Sequence, residues 1–212
     1  MITRHRDNPL LTRSSLSPTR PDFRVVGVFN PGVARVAGDT ILLLRVAEAA
    51  TPVPGESAAC PVYDESTGIL ARMGFPADLP GLDLRDPRII SSREQNYLTS
   101  HSHFRVARSR DGVRFVIDPE PAMTAATPYE SFGIEDPRIT EMDDGYYIVY
   151  SSASRYGIVA SLAKTRDFRS FERLGVLFPP DNKDVTLFPG PIGGRYFALH
   201  RPSHSLYGRP EI

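Results

Sequence analysis

The chain has 212 residues, 41% of them hydrophobic and 24% charged, with 25 Lys+Arg balanced by 25 Asp+Glu. That length suffices for one large domain or two small ones, and zero net charge removes any broad electrostatic case for nucleic acid or an anionic membrane as partner. The lone Cys60 rules out an internal disulfide and a cysteine-based zinc cluster, and no apolar run approaches the ~18 residues of a membrane span.

Residues 1–25 are polar and Pro-rich, without the apolar stretch of a secretory signal, so a cytoplasmic enzyme is expected. Beyond them, 20 prolines and 16 glycines punctuate short apolar runs, the pattern of an all-β protein. A first hairpin is read around Gly38-Asp39, entered through Asn30-Pro31-Gly32 and left through the strand at 40–46. Asp86-Pro87-Arg88 has the look of a second entry point. Residues 97–106 read as a strand with His101 and His103 on one face. Two histidines at i, i+2 lack the Cys or carboxylate partners that would complete a metal site, so no metal is expected and His103 is assigned to substrate hydrogen bonding. Tyr129, just ahead of the next unit, suits either stacking on a sugar ring or a place in the core.

The most informative stretch is Gly133-Ile134-Glu135-Asp136-Pro137-Arg138, followed by a strand at 146–151 behind the Asp143-Asp144-Gly145 turn. Proline pushes the residue before it toward an extended conformation, which is the expectation for Asp136. Two adjacent carboxylates held at a strand start suit acid chemistry on a rigid scaffold. Glu135 has two readings: it raises the pKa of Asp136 by like-charge repulsion, or it pairs with Arg138. Further on, Asn182-Lys183-Asp184-Val185 precedes a Gly193-Gly194 turn and a strand at 195–200.

These units echo one another. Asp136 lies 50 residues after Asp86 and 48 before Asp184, and Ser109-Arg110-Asp111 recurs as Thr165-Arg166-Asp167 at an offset of 56. A period of roughly 50 residues of short strands is the signature of a β-propeller, with a β-sandwich as the alternative. In a propeller, the innermost strands converge on one channel, so Asn30, Asp136 and Asp184 are expected to meet in a single pocket. Four units are read, and Arg209-Pro210-Glu211 resembles another strand start, so residues 1–212 are expected to be one propeller domain that is incomplete at the C-terminus.

Three stretches carry a resemblance to glycoside hydrolase family 130, the β-mannoside phosphorylases and β-mannosidases. They are Val26-Gly27-Val28-Phe29-Asn30-Pro31-Gly32 with Arg45-Val46-Ala47-Glu48, the Glu135-Asp136-Pro137-Arg138 turn, and Asn182-Lys183-Asp184-Val185 with Leu199-His200-Arg201-Pro202. The resemblance runs from about Asn8 to Ile212. It implies a five-bladed β-propeller, about four blades of it here. It also implies Asp136 as the proton donor, Asn30 and Arg45 in the mannose subsite, and Lys183 and Arg201 as phosphate-holding cations. Glu135, Asp184 and His200 join the expected substrate-binding set. Lys183 stands where several phosphorylases carry Arg, and Phe188-Pro189-Gly190-Pro191 departs from the usual Glu-Lys after Phe-Pro.

The expectation is therefore an enzyme that cleaves a β-mannosidic bond, of the β-1,2 type by its N-terminal motif, with inversion. Lys183 tips the reading slightly toward a glycosidase, with a phosphorylase releasing mannose 1-phosphate as the alternative. A carbohydrate-binding propeller without turnover is the reading from another class. No cofactor is expected beyond inorganic phosphate as co-substrate of a phosphorylase. The expected partner is an oligosaccharide, with no nucleic acid and no membrane, and a homo-oligomer is left open.

Overall fold

A computed structural model describes residues 3–93 and 95–202, and these are almost entirely β-strand. The expected strand start at Arg209 lies outside the described residues. β1 (Phe23–Val36) and β2 (Asp39–Ala50) form a long hairpin. Its turn is Ala37-Gly38, both at positive φ as a two-residue type I′ connection demands, one position earlier than the sequence suggests. β3 (Glu56–Asp64) with β4 (Ile69–Pro76) and β5 (Ile89–Ser91) with β6 (Asn96–Leu98) are two separate small hairpins. β7 (His101–Ser109) then returns to pair with β2 from Thr40↔Ser109 to Glu48↔His101, and β8 (Val116–Ile117) pairs with β7.

The first unit is therefore β1-β2-β7-β8, with β3 to β6 inserted between its second and third strands. The second is uninterrupted: β9 (Gly133–Met142), β10 (Gly145–Ser154), β11 (Gly157–Thr165) and β12 (Glu172–Phe178), all antiparallel neighbours. β13 (Asn182–Leu187) and β14 (Ala198–Pro202) make a third, two-stranded sheet. β14 starts three residues later than the strand read from the sequence, because Ile192 and Arg195 close around Gly193-Gly194 first. The Asp86 echo is not a unit of its own, since Asp86 lies in the connection ahead of the three-residue β5.

The all-β reading holds, and the sheets stack in series rather than as one closed pair. Alternation along β10 explains why. Ile148 and Tyr150 point into a core shared with Leu43, Phe104, Val106 and Ile134, where the Phe104 and Tyr150 rings meet edge-to-face at 5.7 Å. Val149 faces the other way, into a cluster with Ala160 and Val185 of β13. The second unit is thus buried on both faces by successive neighbours, which is how propeller blades pack and not how a two-sheet sandwich packs.

The Ser109/Thr165 echo is a real structural repeat. Both residues end the third strand of a four-stranded unit, and both hydroxyls accept a backbone N–H three residues on, from Gly112 at 2.9 Å and Phe168 at 3.0 Å. Asp111 accepts from the N–H groups of Val113 and Arg114, and Asp167 from those of Arg169 and Ser170. Among the described residues, no helix is long and apolar enough to cross a membrane.

Candidate functional site

Asn30, Asp136 and Asp184, far apart in sequence, line one pocket together with Pro31, Pro137 and Arg138. Each sits on the first strand of its unit, and each is a non-glycine residue at positive φ: +30°, +52° and +56°. Asp136 is therefore not extended, contrary to the expectation from Pro137. The reason is a β-bulge. Register slips between Phe29 and Gly32 on β1, between Glu135 and Arg138 on β9, and between Lys183 and Thr186 on β13. A bulge admits one residue in the left-handed region, and Asn and Asp tolerate that region best among side-chain-bearing residues. The result re-aims three polar side chains from three successive units into one place.

Within the pocket, Asp136 Oδ1 accepts two hydrogen bonds, from Asn30 Nδ2 and from Arg45 Nη1, both at 2.9 Å. No protein donor engages Asp136 Oδ2 among the described residues. Arg45 reaches this point from β2, where it pairs with Phe29, and its other terminal nitrogen donates to Glu135 Oε1 at 2.6 Å. One guanidinium thus clamps two adjacent carboxylates. Ser102 Oγ accepts from Arg45 Nε at 3.2 Å, and the Phe29 ring lies 5.6 Å from the guanidinium carbon. Burial raises the Glu135 carboxyl above its usual value, Arg45 opposes that, the neighbouring Asp136 charge adds to it, and Lys183 opposes it from β13.

Glu135 consequently pairs with Arg45 and not with Arg138, which turns to Asp184 instead, at 3.3 Å. Arg201 also donates to Asp184. Burial alone would raise the Asp184 carboxyl, but hydrogen bonds from Arg201 and Arg138 outweigh it and hold the group below the usual range. Lys183 does not pair with Asp184. Among the described residues its ammonium makes no hydrogen bond or ion pair, and it faces Arg201 across the β13–β14 register. His200 stacks on Phe178 at 4.8 Å with rings 4° from parallel, and its Nδ1 lies 2.9 Å from Asn182 Nδ2.

His200 does not line this pocket, and His103 and Tyr129 lie away from it. His103 is buried at 5% exposure on β7, opposite Val46 rather than Arg45, and its Nε2 accepts from Arg105 Nε at 3.2 Å. Period-2 alternation puts it on the strand face turned away from the Arg45 clamp. Tyr129 is 44% exposed in a single 3-10 turn before β9, edge-to-face with Tyr156 at 5.9 Å. Sequence reading missed Ser102 as the brace of Arg45 and Arg138 as a partner of Asp184. The first was hidden by its position between the more conspicuous histidines, and the second is visible only once the 46-residue gap to Asp184 is closed by folding. No cluster of His, Cys, Asp and Glu suited to a metal ion occurs among the described residues.

Comparison with known proteins identifies the family. The model of glycoside hydrolase family 130, described as beta-1,4-mannooligosaccharide phosphorylase, matches residues 82–209. Beta-1,2-mannobiose phosphorylase of Listeria innocua is 41% identical over 215 aligned residues, covering 100% of this chain and 61% of that protein. A 1,2-beta-oligomannan phosphorylase of a Thermoanaerobacter species is 39% identical over 100 residues, 45% of this chain and 33% of that protein. The solved structure of the Listeria innocua enzyme in complex with beta-1,2-mannobiose superposes with a TM-score of 0.88 over 97% of this chain and 59% of that one. This chain thus spans about three-fifths of the length of that relative. It belongs to glycoside hydrolase family 130.

Proposed function

We propose that this chain forms the catalytic region of an inverting β-mannoside phosphorylase, acting on a β-1,2-linked mannose disaccharide or oligosaccharide with inorganic phosphate as co-substrate. The observation that carries the proposal is the asymmetric clamp on Asp136: among the described residues two donors on Oδ1 and none on Oδ2, with Arg201 bonded to Asp184 of the same pocket and the Lys183 charge acting on the adjacent Glu135. Similarity along the whole of this chain to three-fifths of a beta-1,2-mannobiose phosphorylase supports phosphorolysis over the hydrolysis that Lys183 first suggested. Replacing Arg by Lys keeps a cation at that position as a point charge, though without a bidentate fork.

In this reading Asp136 Oδ2 carries the proton destined for the glycosidic oxygen, passed on by a sugar hydroxyl. A phosphate oxygen attacks the anomeric carbon from the opposite face as the C1–O bond breaks. The leaving oxygen takes the proton, and the sugar departs as α-mannose 1-phosphate. Asn30 and Arg45 fix the acid's orientation while offering donors to ring hydroxyls. Lys183, whose ammonium makes no hydrogen bond or ion pair among the described residues, and Arg201 meet the phosphate dianion.

The test is product analysis of the full-length protein on β-1,2-mannobiose with and without phosphate, for wild type and Asp136→Asn. Mannose 1-phosphate that appears only with phosphate, and a loss of about a hundredfold or more in the variant, are expected. Free mannose independent of phosphate would replace this reading with a hydrolase. Tight binding without product would leave a carbohydrate-binding propeller.

A further inference from the structure

We infer that the cleft between the inserted hairpins and the β10–β11 turn is an accessory subsite that binds a further sugar unit of the substrate chain. Tyr63, Glu65, Tyr97 and Arg155 take part in it, with His101 in its wall. The identity of that sugar as a mannose unit rests on the phosphorylase reading above.

Position is the first argument. Ser131 and Phe132 line the cleft immediately before β9, so Asp136 lies only three residues beyond the Gly133 strand start, about 10 Å away at 3.3 Å per residue. Both places are at the same end of the sheets. An oligosaccharide cleaved at Asp136 has its next units at that scale of distance.

Chemistry is the second. The cleft combines aromatic faces with planar polar groups, as a sugar requires: tyrosine rings for its C–H faces, and a carboxylate, amides and a guanidinium for its hydroxyls. Its charged groups cancel, because Arg155 Nη2 lies 3.3 Å from Glu65 Oε2. A neutral, hydroxyl-rich ligand fits such a site better than an anion. Arg155 also sits over the Tyr156 ring at 4.9 Å and donates to its hydroxyl at 2.7 Å. Tyr156 in turn meets Tyr129, and both rings are about half exposed, which extends the aromatic surface past the cleft.

The third argument is an unsatisfied group. His101 is 4% exposed, and its Nε2 has no hydrogen-bond partner among the described residues. Its ring is bonded to the Glu130 backbone carbonyl through the other nitrogen, which leaves Nε2 as an acceptor. Buried acceptors without donors are rare, and a ligand hydroxyl, directly or through one water, would satisfy this one.

The experiment compares kcat/KM for β-1,2-mannotriose and β-1,2-mannobiose, with phosphate, in the full-length wild type, Arg155→Ala and Tyr63→Ala. Arg155 is mostly exposed, so its variant folds. The trisaccharide-to-disaccharide ratio should fall about tenfold in both variants, corresponding to about 1.4 kcal/mol. A ratio within about twofold of wild type in both would overturn the subsite. If wild type yields no mannose 1-phosphate from mannobiose, the phosphorylase reading fails separately. Calorimetric titration of Asp136→Asn with each sugar then decides: tighter trisaccharide binding, lost on adding Arg155→Ala, upholds the subsite, and equal affinities overturn it.

Discussion

Arg45→Gln probes the central electrostatic feature of the pocket, one cation serving two carboxylates. In the folded protein Arg45 lies 2.6 Å from Glu135 and 2.9 Å from Asp136, with side-chain exposures of 20%, 27% and 21%. Breaking a fully buried pair from one side costs about 3–5 kcal/mol, and an exposed pair is worth about 0–1 kcal/mol. At this intermediate exposure the variant should lose about 2 kcal/mol at neutral pH. The loss should also depend on pH. Burial already raises the Glu135 carboxyl, and removing Arg45 takes away the main influence opposing that rise. A carboxyl raised in the folded state favours folding below its unfolded value, and that favour is lost as pH rises through the folded value. Protonated Glu135 needs no counter-ion, so the penalty should shrink toward about pH 4.5 and reach its full size by about pH 7.5. Urea denaturation of both proteins at the two pH values gives the difference directly. A penalty that is the same at both, or below about 0.5 kcal/mol at neutral pH, would refute the shared-cation account.

Gly133→Ala should be severe, because its φ is +110° and a Cβ would lie 2.6 Å from Ser102 N and 2.9 Å from Ser102 O, both backbone. A loss of at least about 2 kcal/mol in urea denaturation is expected, against about 1 kcal/mol for Gly175→Ala. Gly175 has a similar φ of +104° but open space around it, so equal losses would mean that the contact with β7 is unimportant. Thr165→Val removes a buried hydroxyl that accepts from Phe168 N–H and donates to the Ser170 carbonyl, and should cost about 2 kcal/mol by the same assay. A neutral result would show that the repeated turn does not hold its unit together. Burial lowers His101 to about 4 and His103 to about 3, so both are neutral when folded while the unfolded chain takes up protons. Stability present above the unfolded value near 6.5 is lost as pH falls toward those folded values, at about 1.4 kcal/mol per pH unit per histidine around pH 5. His103→Gln should reduce that slope by about one proton's worth, and an unchanged slope in pH-dependent unfolding would contradict its neutral state.

The strands and the repeat were legible because they rest on local chemistry. Alternating apolar runs between Gly and Asp turns gave the start of β10 within a residue, though the strand runs three residues past the end read for it, and the Ser/Thr-x-Asp signature marked the end of β7 and of β11, since each hydroxyl and carboxylate bonds its own backbone. The β3–β6 insertion was not legible, and Asp86 was read into the repeat because an Asp-Pro-Arg triplet forms a local ion pair anywhere. Here, among the described residues, the Asp86 carboxylate bonds only Arg88, two residues on, at 2.8 Å, and that pairing holds the carboxyl near 2.

Asp136, Asn30 and Asp184 differ from Asp86 in backbone rather than in sequence context. Two of the three precede a proline or follow the same Asp-Pro pattern, yet all three adopt positive φ at a bulge, which costs roughly 1–2 kcal/mol for each side-chain-bearing residue. Local preference does not produce that conformation, so the rest of the fold must impose it. The hydrogen bonds that offset it are all long-range: Asn30 to Asp136 across 106 residues, Arg45 to Asp136 across 91, and Arg138 to Asp184 across 46. Strain held in place by contacts between separate units fixes the acid more tightly than a strand of ordinary geometry would, since no single side chain can relax without breaking its partners. For the same reason the motif could be found by reading the chain, while the geometry that makes it a site could not.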